Sequence, residues 1–255
     1  MTNKEMLCTA LKQSALELNC TVDDLTGGKS KAVISSTAEG ARKYLSLPFY
    51  CQLVSYGSGI VASVNEEIYA DAKAYIEKYA PEHCFETPNM LVLQSALERR
   101  GMSACFMAEY WLCDTGAIRP LDCGYELRLL TAEDFAPLYT PQWSNALCEK
   151  RKELDVLGIG AYDGEKLVGF AGCSADCESM WQIGVDVLPE YRRRGIASAV
   201  TSRLAAEIMA RGKVPFYCCA WSNVASARNA IRAGFRPAWV ELTAKSAEYT
   251  ADMNK

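Results

Sequence analysis

Residues 185–200 read VDVLPEYRRRGIASAV, and they carry the clearest structural signal in the chain. The apolar residues before the arginines predict a strand, and the small and apolar residues after Gly195 predict a long helix to about Arg211. A helix that begins in the arginine turn presents unpaired backbone N–H groups and the positive end of its dipole there. Three arginines add charge suited to a pyrophosphate. The segment therefore predicts an anion site, with a solvated basic turn that binds nothing as the alternative.

The elements around this segment predict a mixed α/β layer with helices on both faces of a sheet. Asp163-Gly164 is a two-residue turn signal between apolar runs and predicts a hairpin. Residues 143–154 are helical in composition. The remaining predicted elements are strands at 125–130, 180–188, 214–221 and 235–242 and a helix at 225–233.

Two elements of the sequence resemble the GNAT superfamily of N-acetyltransferases. Residues 192–197 match its signature of Arg or Gln, two residues, Gly, one residue, and Gly or Ala, and the Val-x-Val-x-Pro pattern at 185–189 is the customary lead-in. Downstream, Asn223, Ser226 and Gly234-Phe235 match a second family element. The resemblance covers about residues 125–242.

The resemblance implies the fold, the cosubstrate and the residues that bind it. The expected fold is a GNAT acyltransferase fold, a mixed and mostly antiparallel sheet flanked by helices, and the expected cosubstrate is acetyl-CoA. In this family the strand before the loop binds the pantetheine arm, the loop holds the pyrophosphate, and two strands splay apart to admit the thioester. The implied cofactor-binding residues are Val185, Asp186, Val187, Arg192, Arg193, Arg194, Gly195, Ile196, Ala197, Asn223 and Ser226.

The positions at which many relatives carry a catalytic Glu and Tyr hold Trp181 and Ala230 in this chain. Substitute candidates are Asp186 and Glu178 as the base and Tyr217 as the acid. For Asp186 the alternatives are an exposed position at a strand edge or a hydrogen bond to a backbone N–H, and for Glu178 the alternative is a solvated loop charge. Asn223 is equally suited to capping the helix that follows it.

The resemblance predicts transfer of an acetyl group from acetyl-CoA to a primary amine of a small molecule or peptide, by direct attack in a ternary complex. The vacant Glu and Tyr positions leave a second hypothesis open, a catalytically idle module that binds CoA in a regulatory or structural role. A homodimer also stays open.

The sequence predicts two domains. Residues 1–115 are expected to form a smaller, degenerate GNAT-like domain, and residues 124–255 the catalytic domain. Residues 85–89 followed by a helix to Gly101 echo residues 220–223 followed by a helix to Gly234. After the strand at 60–64 comes Asn65-Glu66-Glu67, which is acidic where the other loop is basic. This half is not expected to bind CoA, and either completes the acceptor site or serves as a scaffold.

Composition excludes several other classes of function. The 255 residues carry a net charge of −4, which argues against general nucleic-acid binding. Without an apolar run of about 18 residues or a secretory signal, the expected location is the cytoplasm, with no membrane partner. The 12 cysteines are expected to be reduced thiols. No metal is expected, because Cys218 and Cys219 on a strand point to opposite faces.

Overall fold

The chain forms seven α-helices and ten β-strands in the computed structural model, which describes residues 1–255. The helices are α1 (Asn3–Leu18), α2 (Val22–Thr26), α3 (Tyr69–Lys78), α4 (Thr87–Glu98), α5 (Ile196–Ala210), α6 (Val224–Arg232) and α7 (Ala247–Asp252). The strands are β1 (Lys31–Ile34), β2 (Cys51–Ser55), β3 (Val61–Val64), β4 (Met102–Cys113), β5 (Glu126–Thr131), β6 (Asp155–Asp163), β7 (Lys166–Ser174), β8 (Met180–Val187), β9 (Val214–Ala220) and β10 (Phe235–Ser246). None of the helices has the length and apolar character needed to cross a membrane.

The residues group into two compact units that a single cut of the chain does not separate. Unit 1 comprises Met1–Thr9 and Trp111–Pro237, and unit 2 comprises Ala10–Tyr110 and Ala238–Lys255. The sequence predicts one boundary near residue 115. In the structure, Met1–Thr9 instead belong to unit 1 and Ala238–Lys255 to unit 2.

Specific polar contacts hold these terminal segments in place. In unit 1, the Asn3 side-chain amide donates to Asp114 at 2.9 Å and its oxygen accepts the Thr115 N–H at 2.8 Å. In unit 2, the buried Arg42 guanidinium lies 2.7 Å from a Glu17 carboxylate oxygen and 3.0 Å from one of Glu241. Because unpaired buried charges are costly, these ion pairs commit the last strand of the chain to unit 2.

Unit 1 contains a sheet in the order β5-β6-β7-β8-β9, in which only the β8–β9 pair is parallel. Phe135, Phe170 and Phe216 are fully buried in its core. The start of α5 lies directly on β7, since a side chain at Gly169 would overlap Ile196. The predicted mixed, mostly antiparallel sheet with flanking helices is confirmed.

Unit 2 repeats part of this pairing pattern with a different chain order. Its strands run β1-β3-β2-β10, with β3 antiparallel to β2 and parallel to β1. The arrangement matches β7, β8 and β9 of unit 1, except that the parallel strand comes from earlier in the chain. In unit 1 a strand, β9, precedes α6, whereas in unit 2 a 3-10 turn at Pro81–Phe85 precedes α4.

The helix predicted at 143–154 is also wrong. The segment forms short 3-10 turns at Pro141–Trp143 and Glu149–Leu154, and Arg151 has non-helical backbone angles. Contacts with β7 and β8, described below, determine the path of the chain between these turns. Tertiary structure here overrides a helical composition.

Candidate functional site

The arginine turn, residues 192–197, forms a concave backbone surface at the start of α5. Arg193 and Gly195 both have positive φ angles, 64° and 84°. Gly195 is the N-cap of α5, and no side chain caps this end. The first N–H groups of the helix have no partner within it and point toward the turn with the positive end of the helix dipole. This geometry binds anions.

A cavity of about 910 Å³ in unit 1 extends from this turn to the gap between β8 and β9. Its charged lining is strongly cationic, with four arginines and one carboxylate. The charged residues are Arg192, Arg193, Arg228, Arg232 and Asp186. The neutral lining includes Asn145, Gln182, Tyr217, Cys218, Asn223, Ser226 and Asn229.

The gap between β8 and β9, called the slot below, forms because the two strands stop pairing early. Their paired register ends at Ile183 and Tyr217, although β8 continues to Val187 and β9 to Ala220. This separation is the splay that the family resemblance implies.

The backbone of Val185 and Val187 faces the slot. The Leu188 N–H donates to the Val168 carbonyl at 3.0 Å, which fixes the alternation of hydrogen-bonded pairs between β7 and β8. By this alternation Asp186 and Gly184 direct their backbone groups to β7, whereas Val185 and Val187 direct theirs away from it. The Val187 carbonyl accepts a bond from Arg192 Nε at 3.2 Å.

The three arginines of the turn have different environments. Arg192 and Arg193 line the cavity. The Arg194 side chain donates instead to the Tyr125 hydroxyl at 2.8 Å and to the Glu190 carbonyl at 3.1 Å. The hydrogen bond with Tyr125 raises the pKa of Arg194. Its side chain therefore braces the turn, and its charge acts on the cavity from a distance.

Helix α6 contributes cationic and polar residues that the sequence reasoning missed. Arg228 and Arg232 are four residues apart, so they share one helix face, and both line the cavity with Asn229. This spacing was visible in the sequence as a basic i, i+4 pair. Asn223 caps α6 by accepting the Ser226 N–H at 3.1 Å, so the alternative role considered for it is present in the structure.

Tyr217 is the last residue of β9 that pairs with β8, and its side chain is buried. Its hydroxyl lies 2.6 Å from that of Ser226, and both residues line the cavity. Burial raises the pKa of Tyr217 above the usual tyrosine value, and hydrogen bonds with Ser226 and Asn229 offset part of this rise. The group is therefore protonated at neutral pH.

The two candidate carboxylates differ in position. Asp186 lines the cavity, and its oxygens accept three hydrogen bonds from Asn145 and Ala146. Glu178 is exposed before the start of β8, and its backbone carbonyl accepts a bond from Lys213 at 2.7 Å. It lies at the opposite end of β8 from the arginine turn and is not part of the cavity lining.

The cysteines are all free thiols, and no group of three or more His, Cys, Asp or Glu side chains forms a metal-binding arrangement. Cys218 lines the cavity and accepts a hydrogen bond from the Gln182 side-chain amide at 3.1 Å.

A family model described as GNAT acetyltransferase matches residues 92–238, more than half of the chain. The chain therefore belongs to the GNAT acetyltransferase family. A search of curated protein sequences gave no significant match.

Solved GNAT structures show weaker similarity. A GNAT-family protein from Novosphingobium aromaticivorans is 22% identical over 56% of this chain and 66% of its own, with a TM-score of 0.46. A GCN5-related N-acetyltransferase-like protein from Streptococcus suis is 18% identical over 63% and 69%, with a TM-score of 0.45. A GCN5-related N-acetyltransferase from Sphaerobacter thermophilus is 16% identical over 74% and 72%, with a TM-score of 0.47. The chain spans about two thirds of the length of the first two proteins.

Proposed function

We propose that the protein transfers the acetyl group of acetyl-CoA to a primary amine of a small molecule or peptide, by direct attack in a ternary complex. The observation that carries this proposal is the charge of the cavity. The cavity lining contains four arginines, an uncapped helix N-terminus and a single carboxylate. Three N–H groups already bind that carboxylate. Such a surface suits a polyanion of the pyrophosphate class.

The residues of this chain fit CoA from the turn to the slot. The N–H groups at the start of α5, with Arg192 and Arg193, would hold the pyrophosphate. Arg228 and Arg232 would add charge for a further phosphate. The backbone groups of Val185 and Val187 that face the slot would bind the amide groups of the pantetheine arm, and the Asn223 side chain lines the same cavity.

The bound donor supplies a thioester, and the chain's own residues orient it and manage protons. The amine must be neutral to attack the carbonyl carbon, so the C–N bond forms and the C–S bond breaks as the amine loses one proton. Tyr217 is protonated and buried at the end of the paired strands, so we assign it the donation of a proton to the leaving sulfur. Its hydroxyl is then restored from solvent.

Neither of the two carboxylates considered as the base is well placed to accept a proton from the amine. Asp186 is occupied by its three donors, and Glu178 is outside the cavity lining. A lysine-like amine with a pKa of about 10.4 costs roughly 4 kcal/mol to deprotonate near pH 7.5. Water therefore takes the proton from the amine, and acceptors that are already partly neutral react fastest.

Thiol release from acetyl-CoA, measured against amines, amino acids, polyamines and aminoglycosides, tests the proposal, alongside calorimetric titration with CoA. Binding with acceptor-dependent thiol release supports an acetyltransferase. Binding without thiol release for any acceptor supports the idle CoA-binding module instead. No binding at millimolar CoA overturns both.

A further inference from the structure

The 143–147 loop lies directly on the sheet, on the face opposite α5. Gly172 of β7 and Gly184 of β8 are register partners under it. A side chain at Gly172 would overlap the Ala146 carbonyl, and one at Gly184 would overlap the Asn145 carbonyl. The loop backbone can approach this closely only because both strands carry glycine at this position.

Asp186 holds the loop in that position from two residues further along β8. Its Oδ2 accepts the N–H groups of Asn145 at 2.9 Å and Ala146 at 3.0 Å, and its Oδ1 accepts the Asn145 side-chain amide at 2.6 Å. Alternation along the strand places Asp186 and Gly184 on the same face. Charge-assisted bonds of this kind are stronger than neutral ones. The glycine pair admits the loop, and the carboxylate fixes it.

The loop also forms part of the cavity. Asn145 lines it, and so do Gln182 and Cys218, which are joined by a hydrogen bond. By alternation Gln182 shares its face of β8 with Gly184 and Asp186. The start of α5 instead packs on the opposite face, over Gly169. The slot thus opens on one side toward the arginine turn and on the other toward the 143–147 loop.

We propose that Asp186 is a positioning residue that fixes the 143–147 loop as the acceptor-side wall of the slot, so that Asn145 helps select the amine. This inference rests on the proposed function, because an acceptor exists only if the protein transfers an acyl group. A donor held by the turn enters the slot from the α5 face. An amine that approaches from the other face meets the loop first.

The hydrogen bonds that Asp186 already accepts distinguish a positioning role from that of a general base. A carboxylate has about four lone-pair sites, and three donors already bind this one. Accepting a proton at the one remaining site would remove the charge that strengthens the bonds of Asp186 to the loop. As a positioning residue it acts through the backbone of Asn145 and Ala146.

The test combines amide hydrogen exchange with kinetics on four variants of the full chain. Asp186→Asn removes the charge, and Gly184→Ala displaces the same loop sterically while keeping Asp186. Gly160→Ala is the matched control, because the three atoms nearest to its new methyl group belong to the side chains of Leu167, Tyr162 and Leu130 and not to the loop. Asn145→Ala removes the side-chain bond and leaves both backbone bonds.

We expect exchange at the Asn145 and Ala146 amides to rise about tenfold or more in Asp186→Asn and Gly184→Ala, and to stay unchanged in Gly160→Ala. The KM for the amine should rise about tenfold in the first two variants, with CoA affinity within about twofold of wild type. Asn145→Ala should raise the amine KM and leave the exchange of Ala146 unchanged.

Different outcomes overturn different parts of the inference. Unchanged exchange in both Asp186→Asn and Gly184→Ala would show that Asp186 does not fix the 143–147 loop. A loss of kcat confined to Asp186→Asn, with a normal amine KM in Gly184→Ala, makes Asp186 the base instead. If the wild-type protein binds CoA but releases no thiol with any amine, the proposed function fails, and the role of the loop in acceptor binding fails with it. The exchange data would still show whether Asp186 fixes the loop. If Asp186→Asn does not fold, Gly184→Ala and Asn145→Ala decide the matter.

Discussion

Arg193 and Gly195 both adopt left-handed backbone conformations, and Arg194 lies between them. This alternation turns successive N–H groups inward and sends the Arg194 side chain to Tyr125 while Arg192 and Arg193 line the cavity. A left-handed conformation is unfavourable for arginine by about 1 kcal/mol or more. The pyrophosphate site proposed for the turn would give that strain a functional reason.

Gly195→Glu is expected to abolish useful CoA affinity. A Cβ at this position would make only ordinary contacts, 3.9 Å from Arg232 Nη2 and 4.0 Å from Cys123 Cβ, so we expect the fold to persist. The new carboxylate would lie at the positive helix end beside the cavity arginines. We expect CoA affinity to fall on the order of 100-fold, or about 2.7 kcal/mol. Calorimetry measures this loss.

Gly212→Glu is its matched control, since Gly212 follows the other end of α5, has a φ of 73° and has no atom within 4 Å of an added Cβ. It introduces the same backbone strain and the same charge far from the turn. Equal loss of CoA affinity in both variants would mean that strain, not the anion site, explains the effect.

Arg232→Ala is expected to weaken CoA binding about tenfold, because a charge-assisted contact with a phosphate is lost. Arg194→Ala should weaken it less and lower the melting temperature more, since Arg194 braces the turn through Tyr125 and Glu190. Titrations at rising salt should show a shallower salt dependence for Arg232→Ala than for wild type. The reverse ranking of the two variants would place Arg194, and not Arg232, at the phosphates.

Tyr217→Phe should leave CoA affinity near normal and lower kcat by about 100-fold or more, the usual contribution of a general acid. The ring and its packing stay, and only the hydroxyl is lost. Ser226→Ala, which removes the hydroxyl partner at 2.6 Å but keeps the proposed acid, should lower kcat by less than about tenfold. Normal turnover in Tyr217→Phe would exclude Tyr217 as the proton donor.

Patterns in contiguous residues predicted much of unit 1 and the arginine-turn end of the cavity. The arginine turn, the hairpin at Asp163-Gly164 and the helix after Gly195 follow from contiguous residues, and each is present in the structure.

The parts that could not be predicted depend on contacts between distant residues. Asp186 binds Asn145 and Ala146, about 40 positions earlier in the chain, and the glycines that admit the loop lie on two different strands. A helical composition at 143–154 gives no indication of these contacts. The assignment of the C-terminal strand to unit 2 likewise depends on the buried pair between Arg42 and Glu241.

Unit 2 is expected to bind no CoA, so the protein should bind one CoA per chain. Its strand β1 stays paired with β3 to the end, at Ile34 and Val64, so no slot opens. The turn after β3 is capped by the Asn65 side chain, which accepts the Glu67 N–H at 2.9 Å, and it carries two acids where unit 1 has arginines. Calorimetry on the wild type should therefore fit one site per chain, and on Gly195→Glu only the same site weakened about 100-fold. Binding of a second CoA would contradict this expectation.

The pH dependence of kcat/KM should follow the amine and not a carboxylate of the protein. Only the neutral amine attacks, so below its own pKa the rate should rise about tenfold per pH unit and then level off above that pKa. Because burial raises the pKa of Tyr217, the acid should stay protonated through this rise, and the rate should fall only above the usual tyrosine range. An α-amino group, with a pKa near 8, should therefore reach its plateau about two pH units below a lysine-like amine. Profiles for the two acceptors test this, and an inflection between about pH 4 and 6 that stays fixed when the amine changes would reveal a carboxylate base in the enzyme.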